Sequence, residues 1–314
     1  MIKIDLITGF LGSGKTTFIK KYARYLMDKG LNIGILENDY GAINVDMMLL
    51  KDLEGEQCEL EMISGGCDQE THRRRFRTKL IAMGMCGYDR ILVEPSGIYD
   101  VDEFFDALRE DPVDRWYEVG SVIAVVNACL DDHLTEHEAY YLASEVADAG
   151  CVLLSRMEEA GEEQARKTLE RLETALQEIG CKKKVQEYVL AKNWEDLTEE
   201  DFARIQNVGM QQNSYQKKWF PEEESFETAF FMNLDIERKQ AETLVQSLFE
   251  DSDCGKIIRV KGFLQDGNQW LELNATRGGC EIRPAQDGQN VWIVIGERLE
   301  KERIEARMQR EFAK

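Results

Sequence analysis

The stretch Gly9–Thr17 reads GFLGSGKTT, and it joins a short apolar run, Ile2–Thr8, to an amphipathic run, Thr16–Lys29. It satisfies the pattern G-x4-G-K-[ST], whose glycines let backbone NH groups turn inward around phosphate oxygens, while the following helix adds its positive N-terminal end. Strand, loop and helix fall in the order that such a loop requires. The sequence therefore predicts a phosphate-binding loop rather than a simple glycine-rich turn.

Two side chains of this loop have predicted chemical roles. We expect Lys15 to neutralise the β and γ phosphates of a nucleotide and the hydroxyl of Thr16 to ligate Mg2+. The residues expected to bind the phosphates are Gly12, Ser13, Gly14, Lys15, Thr16 and Thr17.

Two further segments are predicted to reach the phosphates. The apolar run Arg90–Glu94 brings the Glu94 carboxylate to the C-terminal end of a strand, where it can hold Mg2+ and orient water, and Gly97 in the following EPSG turn can sense the γ phosphate. The polar loop Glu37–Asp46 occupies the place of a nucleotide-sensing switch. Within it, Asp39 is a candidate for Mg2+ and for orienting water, and Glu37 is a candidate metal ligand.

The rest of the chain predicts two domains. Up to about Leu190, strand-like runs alternate with helical patterns, which is typical of an α/β fold with a mostly parallel sheet covered by helices on both faces. We expect strands at Asn32–Glu37, Ser121–Asn127, Cys151–Ser155 and Lys184–Leu190, and helices at Val101–Arg109, Leu134–Ala147 and Glu162–Ile179. The predicted organisation is a nucleotide-binding domain at 1–200, a linker at 201–222 and a smaller α+β domain at 223–314.

Composition excludes some partners. The 314 residues carry a formal net charge of -21, which opposes broad contact with nucleic acid or an anionic membrane. No apolar run approaches the roughly 20 residues that cross a bilayer, so we expect a cytoplasmic protein. The eight cysteines form no CxxC pairs, and most are expected to be free thiols. The basic run Arg73–Arg77 is interpreted as a solvated helix face, with docking to an acidic client or to phosphate as the alternative.

The ordered motifs GFLGSGKTT, ENDYGAINVD, ISGGC, VEPSG and RVKGFL resemble those of the CobW-type P-loop GTPases, relatives of nickel-insertion GTPases, over nearly the whole chain. The resemblance implies a Mg2+-dependent GTPase that cycles between GTP and GDP and delivers a metal ion, often Zn2+ or Co2+, to a client metalloprotein. It leaves a homodimer open.

The chain departs from the family at its metal motif. The family usually has CxCC after its double glycine, whereas this chain has Cys67 followed by Asp68, Gln69 and Glu70. Replacing two thiolates by an amide and a carboxylate weakens a site for Zn2+ and favours a harder ion. Cys67, Glu70 and Glu37 remain the candidate ligands of a transition metal, with His72 as a further candidate, and loss of metal binding is the alternative.

The family's guanine-recognition segment, N/S-K-x-D, corresponds to Ser155, Arg156 and Glu158 in the SRME stretch. Arg156 can stack on a base as lysine does, and Glu158 can accept the paired NH bonds only if the loop makes room for one more methylene. GTP is favoured over ATP on this basis.

Two other functions remain open from the sequence. One is a nucleotide-gated activation or assembly chaperone for a metal- or cobalamin-dependent enzyme that carries no metal itself. The other is a small-molecule kinase, which fits the phosphate loop alone. A bound ion whose affinity changes with the nucleotide separates metal delivery from the first of these.

Overall fold

The computed structural model describes residues 1–38, 45–63, 69–97, 99–131, 134–218, 220, 226–234 and 236–310. The chain divides into two compact units, Met1–Lys218 and Trp219–Lys314. The expected linker began at residue 201. In the structure, however, 201–218 belong to the first unit, because helix Glu199–Ile205 and a bridge between Ala149 and Met210 attach this stretch to it.

The first unit alternates strands with helices. In its described part, the strands are β1 (Ile2–Thr8), β2 (Ile33–Asn38), β3 (Cys58–Ile63), β4 (Arg90–Pro95), β5 (Tyr117–Asn127), β6 (Cys151–Ser155) and β7 (Val189–Ala191). The helices are α1 (Lys15–Asp28), α2 (Val45–Leu50), α3 (Gln69–Met83), α4 (Val101–Arg109), α5 (Glu136–Ala147), α6 (Met157–Glu178) and α7 (Glu199–Ile205). All seven strands are parallel, in the order β3-β2-β4-β1-β5-β6-β7.

Apolar residues on both sides of each central strand explain why the sheet is buried between helices. Ile7, Leu92 and Ile123 share one core cluster with Phe18 and Tyr22 of α1. Successive strand residues point to opposite faces. The adjacent positions, Leu6, Val93 and Ala124, are also fully buried and must face the other side. The predicted α/β class, with a mostly parallel sheet covered on both faces, is therefore confirmed.

The structure corrects the sequence prediction at two edges of this sheet. Strand β3 was not predicted, because its sequence, CELEMI, has acidic residues at alternate positions. It lies at the edge of the sheet, and of its six residues only Cys58 and Ile63 are buried. The predicted strand Lys184–Leu190 is mostly wrong: Val185–Glu187 form a 3-10 turn, and β7 begins only at Val189.

The second unit is the predicted smaller α+β unit. Its described strands are β8 (Phe226–Met232), β9 (Lys256–Asp266), β10 (Gln269–Thr276), β11 (Gly279–Ala285) and β12 (Val291–Glu297), and its described helices are α8 (Arg238–Glu250) and α9 (Lys301–Arg310). The antiparallel sheet has the order β11-β10-β9-β12-β8. Leu244 and Leu248 of α8, with Ile304 and Met308 of α9, share one core cluster with Trp292 of β12.

Candidate nucleotide site

The strand order places a crevice beyond the carboxyl ends of β1 and β4. From β1 the chain continues to β2 on one side, whereas from β4 it continues to β5 on the other. In open α/β sheets, ligands bind where the connections diverge in this way. The loop Gly9–Thr17 leaves β1 at this point, so the fold itself selects the predicted phosphate loop as the candidate site.

The phosphate loop has a backbone that only glycine accommodates at its start. Gly9 has φ +148°, and a Cβ atom there would lie 2.2 Å from the carbonyl oxygen of Val125. Helix α1 begins directly after the loop without a capping side chain and without an acidic residue in its first turn. Its N-terminal NH groups therefore offer an anion site.

Lys15 is buried, with 6% of its surface exposed, and its Nζ donates a hydrogen bond to the carbonyl oxygen of Gly9 at 2.6 Å. Among the described residues, the Gly9 carbonyl is the one hydrogen-bond partner of this buried ammonium, which has three donors and is therefore incompletely satisfied there. This arrangement holds the cation in the loop, where the oxygens of a bound phosphate can supply its remaining partners.

Thr16 and Glu94 meet at the opening of the site. The Thr16 hydroxyl donates to Glu94 Oε1 at 2.9 Å, while Glu94 Oε2 is buried and has no hydrogen-bond partner among the described residues. One hydroxyl and one carboxylate are the protein ligands that Mg2+ commonly takes beside nucleotide phosphates. The orphaned carboxylate oxygen fits a cation at this place.

The environment of Glu94 is more acidic than the sequence indicated. Glu37 lies directly opposite Glu94 in the β2–β4 register, and both side chains are buried. The pKa of Glu94 is raised to about 6. Burial and then the charge of Asp46 raise it, whereas the charge of Lys15 and the neighbouring Glu37 and Thr16 side chains oppose the rise. Asp46, at the end of the predicted switch loop, was not assigned an individual role by sequence reasoning.

Gly97 packs directly on the phosphate loop. A Cβ atom at this position would lie 2.6 Å from the backbone nitrogen of Leu11, closer than real side chains approach. The EPSG turn is also tied to β2, because the Ser96 nitrogen donates to the Asn38 carbonyl at 2.9 Å. The turn therefore begins with Glu94 and contacts the phosphate loop through Gly97.

Ser155, at the end of β6, lies on the opposite side of the phosphate loop. Ser155 is 2% exposed, and a Cβ atom added to Gly14 would lie 3.6 Å from the Cβ atom of Ser155. Arg156 adopts a left-handed backbone, φ +55°, at the start of α6 and pairs with Glu159 at 3.9 Å. Glu158 is exposed on the first turn of α6.

The segment after β7 joins this side of the site, and sequence reasoning missed it. A Cβ atom on Gly14 would lie 3.9 Å from the Trp194 indole, whose ring also packs against Phe18 at 5.7 Å. The neighbouring Asn193 keeps its amide oxygen buried without a partner among the described residues. The sequence did offer one signal for this segment, namely its position directly after a strand. Residues that follow parallel strands lie together at the carboxyl edge of the sheet, where the phosphate loop also lies.

The proposed transition-metal ligands are not assembled in the part of the chain that is described. Asp39 and Cys67 lie outside the described residues. Glu70 is exposed on α3 and faces Arg74 at 3.7 Å, whereas Glu37 is buried beside Glu94. Among the described residues, no group of three or more His, Cys, Asp or Glu is arranged to hold a metal ion.

The basic run on α3 is largely paired within the protein. Arg73 contacts Glu110 at 2.9 Å and Arg77 contacts the same carboxylate at 3.0 Å, while Phe76 between them is buried. Within the described ranges, no helix has the length and hydrophobicity to cross a membrane. The cysteines in these ranges are free thiols: Cys58, Cys86, Cys129, Cys151, Cys181, Cys254 and Cys280.

Comparison with known proteins gives several relatives. The zinc chaperone YjiA of Escherichia coli (strain K12) is 29% identical over 184 residues, which cover 54% of each chain. The zinc chaperone YeiR of the same organism is 29% identical over 143 residues, covering 45% of this chain and 42% of YeiR. The matches thus span about half the length of these curated relatives. A crystal structure of Zn(II)-bound YjiA GTPase from E. coli aligns with 98% of each chain at 18% identity, with a TM-score of 0.37.

Residues 3–186 match the family described as "CobW/HypB/UreG, nucleotide-binding domain", which is more than half of the chain. This range holds the phosphate loop, Glu94, Gly97 and the SRME stretch described above. The chain therefore belongs to the CobW/HypB/UreG family.

Proposed function

We propose that this protein is a Mg2+-dependent GTPase that uses a slow hydrolysis cycle to deliver or insert a metal ion into a client metalloprotein. The observation that carries this proposal is the contact of Thr16 with Glu94, whose second oxygen has no hydrogen-bond partner in the described part of the chain. Family membership and the zinc chaperones among the relatives support the metal-handling part.

The chain's own residues divide the work of hydrolysis. Lys15 leaves its bond to Gly9 for the β and γ phosphates and stabilises the charge that develops on them. Glu94, with Asp39 of the switch loop, orients the attacking water. When bound, Mg2+ supplies charge neutralisation across the β and γ phosphates, held by Thr16, Glu94 and, in this proposal, Asp39.

The base is held on the Ser155 side of the loop in this proposal. Arg156 is placed by its left-handed backbone at the start of α6, and Asn193 offers a buried amide oxygen beside the same end of the sheet. A buried acceptor without a partner gains a hydrogen bond from a base NH group. Because guanine presents NH donors on the edge where adenine presents an acceptor, we expect GTP to displace ATP in competition.

Lys15→Ala tests the nucleotide assignment. Loss of a charge-assisted contact to phosphate should weaken GTP binding on the order of a hundredfold, about 3 kcal/mol. Fluorescent GTP titration measures the affinity, with Lys29→Ala as the matched control, since Lys29 lies at the other end of α1 and pairs with Glu199. Intact GTP binding by Lys15→Ala would overturn the assignment.

A second function has an observation in its favour. The resemblance places a cysteine at position 70, whereas the Glu70 side chain found there is 88% exposed and pairs with Arg74. A protein without a thiolate-rich site fits a nucleotide-gated activation or assembly chaperone for a metal- or cobalamin-dependent enzyme. Such a chaperone binds its client in one nucleotide state and carries no metal itself.

A further inference from the structure

The segment 211–218, which we name the connecting segment, is the last part of the first unit and leads to the second. Its backbone NH groups donate hydrogen bonds to the rest of the first unit. Gln211 N donates to the Asp148 carbonyl at 3.0 Å, Asn213 N to Asp148 Oδ1 at 2.9 Å, and Gln216 N to the Ile179 carbonyl at 2.7 Å. Hydrogen bonds therefore hold the connecting segment in a defined position.

Lys217 fastens the end of this segment to the start of α4. Its Nζ lies 3.2 Å from Asp100 Oδ2 and 2.5 Å from Asp102 Oδ2. Asp100 is the N-cap of α4, where its other oxygen accepts from the Asp102 nitrogen at 3.0 Å. One lysine thus neutralises two carboxylates at the N-terminus of this helix, and one of them is the helix cap.

The same helix start follows the turn that packs on the phosphate loop. Asp100 comes three residues after Gly97, whose Cα lies against the Leu11 backbone. Tyr99, directly before the cap, is 1% exposed, and its nitrogen donates to the Ser96 carbonyl at 3.1 Å. Tyr99 therefore ties Asp100 to the turn, because this buried residue directly precedes Asp100 and is bonded to Ser96.

We propose that Lys217 couples the EPSG turn to the connecting segment, so that the nucleotide bound at the phosphate loop sets how firmly 211–218 is held against the first unit. Lys217 is a positioning residue in this account and touches no phosphate. The proposal rests on the proposed function, since it requires nucleotide binding.

The ion pairs of Lys217 with Asp100 and Asp102 are weak enough for a bound nucleotide to open them. Lys217 is 42% exposed, and solvent-exposed pairs of this kind are individually weak. A weak fastening can be opened by a ligand that favours one position of the turn, because populations shift by the ligand's differential affinity. The connecting segment is held at Asp148 and Ile179 as well, so its release is graded rather than complete.

Hydrogen–deuterium exchange of the full chain tests the coupling. Amides of 211–218 are compared in the Mg2+ complexes of GDP and of a non-hydrolysable GTP analogue, and we expect their exchange rates to differ about three- to tenfold between the two. Lys217→Met should remove this difference while leaving both nucleotide affinities within about twofold, and Lys217→Arg should restore it, since arginine can span both carboxylates.

Lys218→Met is the matched control. Lys218 is the next residue, yet it pairs with Glu136 on α5 at 2.7 Å and not with α4. We expect this variant to keep the nucleotide-dependent difference. The proposal is overturned if exchange in 211–218 is equal in both complexes, or if Lys217→Met keeps the difference. Failure of the proposed function looks different, because neither nucleotide would then protect the amides at the start of α1.

Discussion

Glu94 combines three properties that follow from its position at the end of β4. It accepts the Thr16 hydroxyl, it faces Glu37 across the strand pair, and its second oxygen is buried without a partner among the described residues. A carboxyl in this position resists ionisation until a cation arrives, since burial disfavours its charge. In the proposed site, binding of Mg2+ would therefore favour ionisation of Glu94.

Glu94→Gln tests this linkage through stability. The pKa of Glu94 is raised from 4.5 to about 6, chiefly by burial. The folded protein thus holds this proton more tightly than the unfolded chain, so folding loses stability as pH rises from about 4.5 to about 6. At 1.36 kcal/mol per pKa unit, the loss is about 2 kcal/mol.

Glutamine keeps the acceptor for Thr16 and cannot ionise, so the variant should lack this loss. We expect the stability difference between Glu94→Gln and wild type to grow by about 2 kcal/mol in favour of the variant from pH 4.5 to pH 7. Urea unfolding of the metal-free protein at several pH values measures it. A difference that stays constant across this range would show that Glu94 ionises normally.

The sequence predicted several residues of the candidate site, but it did not predict which residues contact them in the folded protein. Lys15, Thr16 and Glu94 come from a motif and a strand end, and the structure brings them together. The pairing of Glu37 with Glu94 depends on the register of two strands that are distant in sequence, which no local pattern encodes. The contact between Trp194 and Gly14 could not be predicted for the same reason, since the two residues are distant in sequence and meet only in the folded chain.

At the scale of elements, β1, β4 and α1 are joined by a buried ion pair. Arg90 of β4 donates to both carboxylate oxygens of Asp5 at 2.6 Å, Tyr22 of α1 donates to Asp5 Oδ2 at 2.9 Å, and the Ser121 nitrogen donates to Oδ1 at 2.7 Å. Burial raises the pKa of Asp5, and Arg90 opposes this. The network fixes the helix that carries the phosphate loop onto the central strands.

Asp5→Asn should destabilise the first unit strongly. Removing one charge leaves the Arg90 guanidinium buried without its counter-ion, which typically costs about 3 kcal/mol or more. Urea unfolding followed by circular dichroism measures the change. Lys3→Ala is the control, because Lys3 lies on the same strand as Asp5 and its pair with Glu118 of β5 is exposed and should contribute less than about 1 kcal/mol. Equal effects of the two variants would contradict a structural role for the network.

Element prediction succeeded where apolar periodicity is strong and failed where tertiary contacts decide. The predicted bounds of β1, β6 and α4 agree with the structure. Helix α6 begins at Met157 and contains a non-helical residue, Gly161 with φ +65°, which periodicity from Glu162 onward did not show. The expected linker packs on the first unit through bonds to Asp148 and Ile179, and backbone bonds of this kind leave no compositional trace.

At the scale of the whole molecule, the parallel sheet with helices on both faces is confirmed, whereas the altered metal motif stays a prediction. The phosphate loop was predicted from its motif, and the smaller α+β unit from the pattern of runs after the linker. The resemblance predicts that the CDQE sequence after Gly65-Gly66 replaces a CxCC motif and so leaves one thiolate in place of three. A site of oxygen, nitrogen and one sulfur favours a harder ion than a thiolate cage does.

Titration of metal-stripped protein with Zn2+, Co2+, Fe2+ and Ni2+, in GDP and in a non-hydrolysable GTP analogue, tests metal delivery most directly. We predict that one ion binds at about one per chain, with an affinity that differs about tenfold between nucleotides. Cys67→Ala should weaken that binding, whereas Cys86→Ala, at an exposed free thiol, should not. If no ion beyond Mg2+ binds in either state, metal delivery is contradicted and the protein is a nucleotide-gated activation chaperone.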